Sequence, residues 1–136
     1  MVESGQSENV VYGLYEDSIL PVKNAGQAVF VTGRHIVETG IYLKPAFGHT
    51  LGNIIIHVES NGKKAILSGD VIHHPLQLAH PKWSTSFCIN AEQSRFTWLS
   101  LHNEYANTNT MFLPAHFQTP EFRRIERDRN TYGMAI

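Results

Sequence analysis

Carboxylate and imidazole groups come together in the segment ILSGDVIHHPLQLAHP, which spans positions 66 to 81. Its apolar run ends at Gly69-Asp70, so the Asp70 carboxylate is predicted to lie at the end of a buried strand. Three histidines follow within the next ten residues. Imidazoles and carboxylates are ligands for zinc and similar divalent ions. The segment therefore indicates a metal site, and its remaining ligands must come from elsewhere in the chain.

Two other histidines share this context at strand ends. His49, in Phe-Gly-His-Thr, precedes one predicted strand, and His116 follows another. A sheet holds such positions rigidly while the adjoining loop exposes the side chain, so His49, Asp70 and His116 are predicted to converge. Their separations of 21 and 46 residues match no local metal motif. Isolated histidines are more often structural, and the spacing alone leaves both interpretations open.

The composition narrows the class of protein. A chain of 136 residues fits one domain and buries about two thirds of its unfolded surface. Apolar residues make up 42% and charged residues 17%, with a net charge of -1, which argues against disorder and against a nucleic-acid or membrane partner. The single cysteine, Cys88, excludes an internal disulfide and a Cys-rich zinc site. We expect a soluble, cytoplasmic protein.

Helical spacing predicts a first helix over residues 8–20, interrupted or restarted at Pro21 and ended by Gly26. Asn90 with Gln93 resembles a capping box that opens a second helix, which runs to about Tyr105. The core candidates on this second helix are Phe96, Trp98 and Leu99.

Strand signals lie between these helices and after them. Asn61-Gly62 between two apolar runs predicts a hairpin of residues 53–59 and 64–68. Residues 110–114 form another apolar strand, which delivers His116. Short strands are also predicted at 28–31 and 41–43, whereas the arginines of the tail, Arg123, Arg124, Arg127 and Arg129, predict a solvated surface.

Three sequence motifs, in this order along the chain, resemble those of a known family. They are PAFGHTLG at 45–52, LSGDVIHHPLQLAHPKW at 67–83 and PAHF at 114–117. Together they resemble the C-terminal half of a metallo-β-lactamase-superfamily hydrolase, in the branch of lactonase-like and organophosphate-hydrolase-like enzymes. The likeness runs from Asn9 to Tyr132, after a polar lead of residues 1–8. It implies an α/β fold in which residues 1–136 form one domain. That domain is half of an αββα sandwich, with one mixed or antiparallel sheet and flanking helices.

The resemblance also implies roles for the candidate ligands. His49 would bind one metal, His116 the other, and Asp70 would bridge them. Zinc is the expected ion, with iron or manganese as alternatives. Such a pair of cations acidifies a water that attacks an ester, lactone or phosphoester in a small-molecule substrate. His73 is predicted to lie in the surrounding loop, beside the ligands.

The superfamily's His-x-His-x-Asp-His segment matches nothing in these 136 residues. The chain would therefore coordinate metal incompletely, as a truncated domain. Either a complementing N-terminal half or a second copy in a homodimer is the expected partner. It would cover a bare sheet face, predicted to carry Ile54, Ile56, Val58, Ile66 and Leu67.

A second function stays open, in which the chain is an inactive half-domain that serves as a dimeric binding module. Cys88 is expected to be a buried structural thiol, since the neighbouring sequence shows no feature that would lower its pKa.

Overall fold

The computed structural model describes residues 13–118 and 123–135, and the chain forms two compact units, Met1–Thr32 and Gly33–Ile136. The first unit contains α1 (Tyr15–Ile19), wound as a π-helix, and α2 (Leu20–Asn24). Pro21 lies in the first turn of α2, where its missing N–H breaks no helical hydrogen bond. Gly26 follows with φ +69°. The start of the predicted helix, residues 8–12, lies outside the described residues, and the strand predicted at 28–31 is wrong.

The second unit is a seven-stranded mixed sheet with strands in chain order, so the predicted α/β class is confirmed. Within the described residues, β4 and β5 are the parallel pair and all other neighbours are antiparallel. The chain between β4 and β5 contains the helices α3 and α4. The elements are β1 (His35–Glu38), β2 (Ile41–Pro45), β3 (Ile54–Ser60), β4 (Lys63–Gly69), α3 (Leu76–Ala79), α4 (Ala91–Tyr105), β5 (Thr110–Pro114), β6 (Arg123–Asp128) and β7 (Thr131–Ala135).

The predicted hairpin is confirmed as β3 and β4. Asn61 and Gly62 both have positive φ, at +49° and +73°, which is the conformation that a two-residue type I′ turn requires. The arginine-rich tail forms the paired strands β6 and β7, and its Arg127 and Arg129 are exposed, as predicted for a solvated surface. Ile125 is 1% exposed and is the apolar residue of β6 that enters the core.

One face of the sheet is covered by α4. The Asn90 side chain caps this helix by accepting a hydrogen bond from the Gln93 N–H at 2.9 Å. Trp98 is buried as predicted and packs against Phe112 of β5. Phe96 is 66% exposed, so its prediction as a core residue is wrong. The buried stripe of α4 consists of Ser94, Trp98, Leu101 and His102, which recur at helical spacing.

The opposite face of the sheet, which we call the open face, is lined by apolar side chains of β2 to β5. Two rows cross it in register, and the described part of this unit places no helix over them. Ile66 was predicted on this face, but it is fully buried on the α4 side, because successive residues of a strand alternate in direction. The first row is Leu43, Ile56, Leu67 and Leu113, and the second is Ile41, Val58, Ala65 and Met111.

Within residues 13–118 and 123–135, every helix is too short or too polar to cross a lipid bilayer.

Candidate metal centre

Asp70 and His116 are delivered to one edge of the sheet by the parallel pair. Parallel strands end on the same side, so the residues after β4 and β5 emerge next to each other. The register shifts between Leu67 and Gly69, which is a β-bulge, and Gly69 has φ +51°. Bulges re-aim side chains beside functional sites, and this one directs the Asp70 carboxylate towards His116.

The three side chains predicted to converge lie together. His116 Nε2 is 2.5 Å from Asp70 Oδ1, and His49 Nε2 is 3.8 Å from Asp70 Oδ2. Each carboxylate oxygen therefore faces a different imidazole. The His116–Asp70 contact is a direct hydrogen bond, and the metal-ligand roles of the three residues stay a prediction.

His49 lies in the loop between β2 and β3, and several contacts hold this loop. The Asn53 side chain donates to the Ala46 carbonyl at 2.9 Å, and the Thr97 hydroxyl donates to the Phe47 carbonyl at 2.6 Å. Gly48 has φ +130° and presses on α4 so closely that a Cβ would lie 2.2 Å from the Ser94 nitrogen. The loop is thus fixed to both the sheet and the helix.

His73 lies within the cluster. Its ring stacks on His116 with centroids 4.7 Å apart and is tilted against His49 at 4.8 Å. His49, Asp70 and His73 each offer a ligand atom, and these atoms lie within 4.8 Å of one another. Burial, followed by the neighbouring His49 and His116, lowers the pKa of His73. A neutral imidazole is the form that binds metal, so His73 adds a fourth donor.

Cys88 is a site residue that the sequence did not identify. Its Sγ lies 3.3 Å from the Ser84 hydroxyl, 3.4 Å from those of Thr85 and Ser94, and 3.8 Å from His49 Nδ1. Burial raises the pKa of the thiol, but these hydrogen bonds lower it by more than burial raises it. The pKa of Cys88 is therefore about 7, below its ordinary value. The expectation that no nearby feature lowers this pKa is therefore wrong. The sequence signal for this lowered pKa is the pair of hydroxyl residues Ser84 and Thr85, four and three positions before Cys88.

The donor set fits a divalent ion of the zinc, iron or manganese type. Three imidazoles and one carboxylate are borderline-hard ligands, and the His49 side chain is 15% exposed whereas that of Asp70 is 43% exposed. Within the described chain, the one cluster of at least three possible metal ligands is His49, Asp70 and His73, and His116 lies outside it while contacting Asp70 and His73. Two cations would need more donors than these four residues supply.

Two concave surfaces flank the cluster. A groove of about 520 Å³ on the open face ends at Gly69 and Ala115, the residues directly before Asp70 and His116. A second cavity, of about 540 Å³, is lined by residues that include His116 and Phe117. Both volumes are in the range of small-molecule sites. The open face therefore continues directly into the candidate metal centre.

No family model and no curated protein matches the chain. Solved structures do match it. AidC, a dizinc quorum-quenching lactonase, superposes with a TM-score of 0.75 at 16% identity over 95% of this chain and 46% of its own. The hydrolase AbOPH of the beta-lactamase superfamily gives a TM-score of 0.76 at 18% identity over 85% and 40%. A probable metal-dependent hydrolase from Staphylococcus aureus gives 0.69 at 20% identity over 94% and 48%.

The chain therefore has the fold of part of a metallo-β-lactamase-superfamily hydrolase. It spans less than half the length of each of these proteins, so it corresponds to a half-domain of their fold.

Proposed function

We propose that this chain supplies part of the active site of a metal-dependent hydrolase in the cytoplasm. Its substrate would be a small molecule with an ester, lactone or phosphoester group. The observation that carries the proposal is the geometry of Asp70, whose two oxygens face His116 and His49 separately. The likeness in fold to hydrolases supports it.

A divalent metal bound here would lower the pKa of water and polarise the substrate oxygen under attack. The chain's own residues would hold and orient this ion. His49 and His116 present Nε2, and the bulge at Gly69 aims the Asp70 carboxylate between them. His73 presents a further neutral imidazole, whose ring orientation is fixed by stacking on His116.

The described donors would leave the coordination of a bound ion incomplete, so completion of the site would require further donors from a partner. We propose that a second copy of this chain covers the open face. Within β2 to β5 both rows carry only apolar side chains, which suits contact with another apolar face such as that of a second copy related by a two-fold axis. Because the groove on this face ends at the metal centre, whatever covers the face also approaches the metal ligands.

Light scattering on the eluting protein tests the dimer. A monomer of 15.3 kDa at micromolar concentration would contradict it. If a complementing chain is required instead, the protein stays monomeric alone and dimerises only with that chain.

Zinc binding tests the metal site. We expect the purified chain to bind zinc in a calorimetric titration, and Asp70→Asn to weaken binding by more than about 10-fold. Asp128→Asn, at an exposed carboxylate on the last residue of β6, is the matched control and should bind as the wild type does. Equal affinity in the wild type and Asp70→Asn would refute the assignment.

The alternative is an inactive dimeric binding module, and the small number of donors favours it. Hydrolysis of ester, lactone and phosphoester substrates, with zinc, iron or manganese added, separates the two functions. Activity that is lost in Asp70→Asn supports the hydrolase. A dimer that stays folded and binds no metal supports the module.

A further inference from the structure

We propose that Cys88 is a positioning residue for His49. Its sulfur accepts a hydrogen bond from His49 Nδ1, which keeps the proton on that nitrogen and leaves the Nε2 lone pair directed at Asp70. The inference rests on the proposed function in one respect, namely that His49 binds metal through Nε2.

The hydrogen bonds around the sulfur fix the direction of this contact. The Cys88 thiol donates to the Ser94 hydroxyl at 3.4 Å, and the Ser84 hydroxyl donates to the sulfur at 3.3 Å. The single thiol proton is thus already used. With the thiol proton directed at Ser94, the sulfur accepts at the 3.8 Å contact, and this contact is a hydrogen bond when His49 Nδ1 carries the proton. A thiolate would give the same result, because it has no proton to donate.

The two nitrogens of His49 face different partners. Nδ1 lies against Cys88, and Nε2 lies 3.8 Å from Asp70 Oδ2. The hydrogen bond at one ring nitrogen decides which tautomer is present, and so whether the other nitrogen can bind metal. Cys88 therefore acts through the imidazole and not on the substrate.

Backbone contacts hold the cysteine in register with the histidine. The Ile89 N–H donates to the His49 carbonyl at 2.9 Å, and the Asn90 N–H donates to the Gly48 carbonyl at 2.9 Å. These two bonds fasten the segment that carries Cys88 along the His49 loop. The sulfur is consequently placed by the main chain, and its contact with Nδ1 does not depend on one flexible side chain.

The test is the tautomer of His49 in metal-free protein, read from nitrogen-15 imidazole spectra. We expect wild-type His49 to carry a proton on Nδ1, and Cys88→Ala to shift the population towards the form protonated on Nε2 alone, which the Asp70 carboxylate 3.8 Å away favours. Ser86→Ala, an exposed residue of the same segment, is the matched control and should give the wild-type spectrum. A wild-type proton on Nε2, or an unchanged tautomer in Cys88→Ala, would overturn the proposal.

A zinc titration gives the second readout. We expect Cys88→Ala to bind zinc about 10-fold more weakly than the wild type, in the range for residues that orient a metal ligand. Cys88→Ser retains an acceptor and should recover part of this loss, which also covers the case in which the alanine variant fails to fold. A serine variant as impaired as the alanine variant would count against the hydrogen bond. If the wild type binds no zinc, the proposed function fails, while the tautomer still decides the role of Cys88.

Discussion

Acid should destabilise this protein through a histidine far from the metal centre. His102 of α4 is fully buried, and neither ring nitrogen has a hydrogen-bond partner. Its ring stacks on Tyr132 with centroids 3.9 Å apart, and it also contacts Trp98. Burial in this aromatic site lowers the pKa of His102 to about 3, because a charged imidazole would lose its hydration there.

The magnitude follows from proton linkage. Below the ordinary pKa of 6.5, the unfolded chain binds a proton at His102 that the folded protein does not bind. The free energy of unfolding therefore decreases as the pH falls from 6.5 towards 3, by about 1.4 kcal/mol per pH unit. Between pH 6.5 and pH 5 the loss from this residue is about 2 kcal/mol. Burial lowers the pKa of His57 too, which adds a contribution of the same sign.

Urea unfolding at pH 7, 6 and 5, followed by circular dichroism, measures the effect. His102→Leu removes the titrating group with little change in volume, so between pH 7 and pH 5 it should lose about 2 kcal/mol less stability than the wild type. His80→Gln, an exposed histidine, should keep the wild-type dependence. Equal pH dependence in the wild type and His102→Leu would refute the reasoning.

Three further substitutions test the loop, the open face and the helix cap. Gly48→Ala places a Cβ 2.2 Å from a backbone nitrogen, so it should lower the free energy of unfolding in urea by at least about 2 kcal/mol and weaken zinc binding. Gly52→Ala is the control, because its Cβ meets no atom within 4 Å and should change neither quantity. Leu67→Lys puts a charge in the centre of the open face and should convert the dimer to monomer in light scattering, and an unchanged dimer would rule out this interface. Asn90→Ala removes the acceptor for the Gln93 N–H and should lower the thermal midpoint, at a cost of about 1 kcal/mol.

Features of the fold with a local cause could be predicted from the sequence. The hairpin depends on Asn61-Gly62, and the start of α4 depends on Asn90, so both lie within a few residues of their signal. The strand β6 carries one deeply buried apolar residue, Ile125, among charged ones and was not recognised. Its pairing with β5 and β7 comes from tertiary structure, which overrides weak local preference.

The candidate metal centre also contains some residues that the sequence could identify and others that it could not. His49, Asp70 and His116 could be proposed because each adjoins a strand end, and rigid strands carry them to one edge. Cys88 and His73 depend on how the long connection between β4 and β5 folds back. Hydrogen bonds from Ile89 and Asn90 place Cys88, and nothing in the spacing of the residues indicates these bonds.

The parallel pairing of β4 and β5 has a consequence for how the site can move. The separation of Asp70 and His116 is set by a backbone ladder that is in register up to Leu67 and Leu113 and then, after the bulge, pairs Gly69 with Pro114. A slip of one residue would displace a side chain by about 3.3 Å and turn it to the other face of the sheet. The two groups therefore cannot drift apart gradually while the strands stay paired. Any gradual adjustment of the centre must come from the His49 side, and amide protons of β4 and β5 should exchange only when the centre itself is lost.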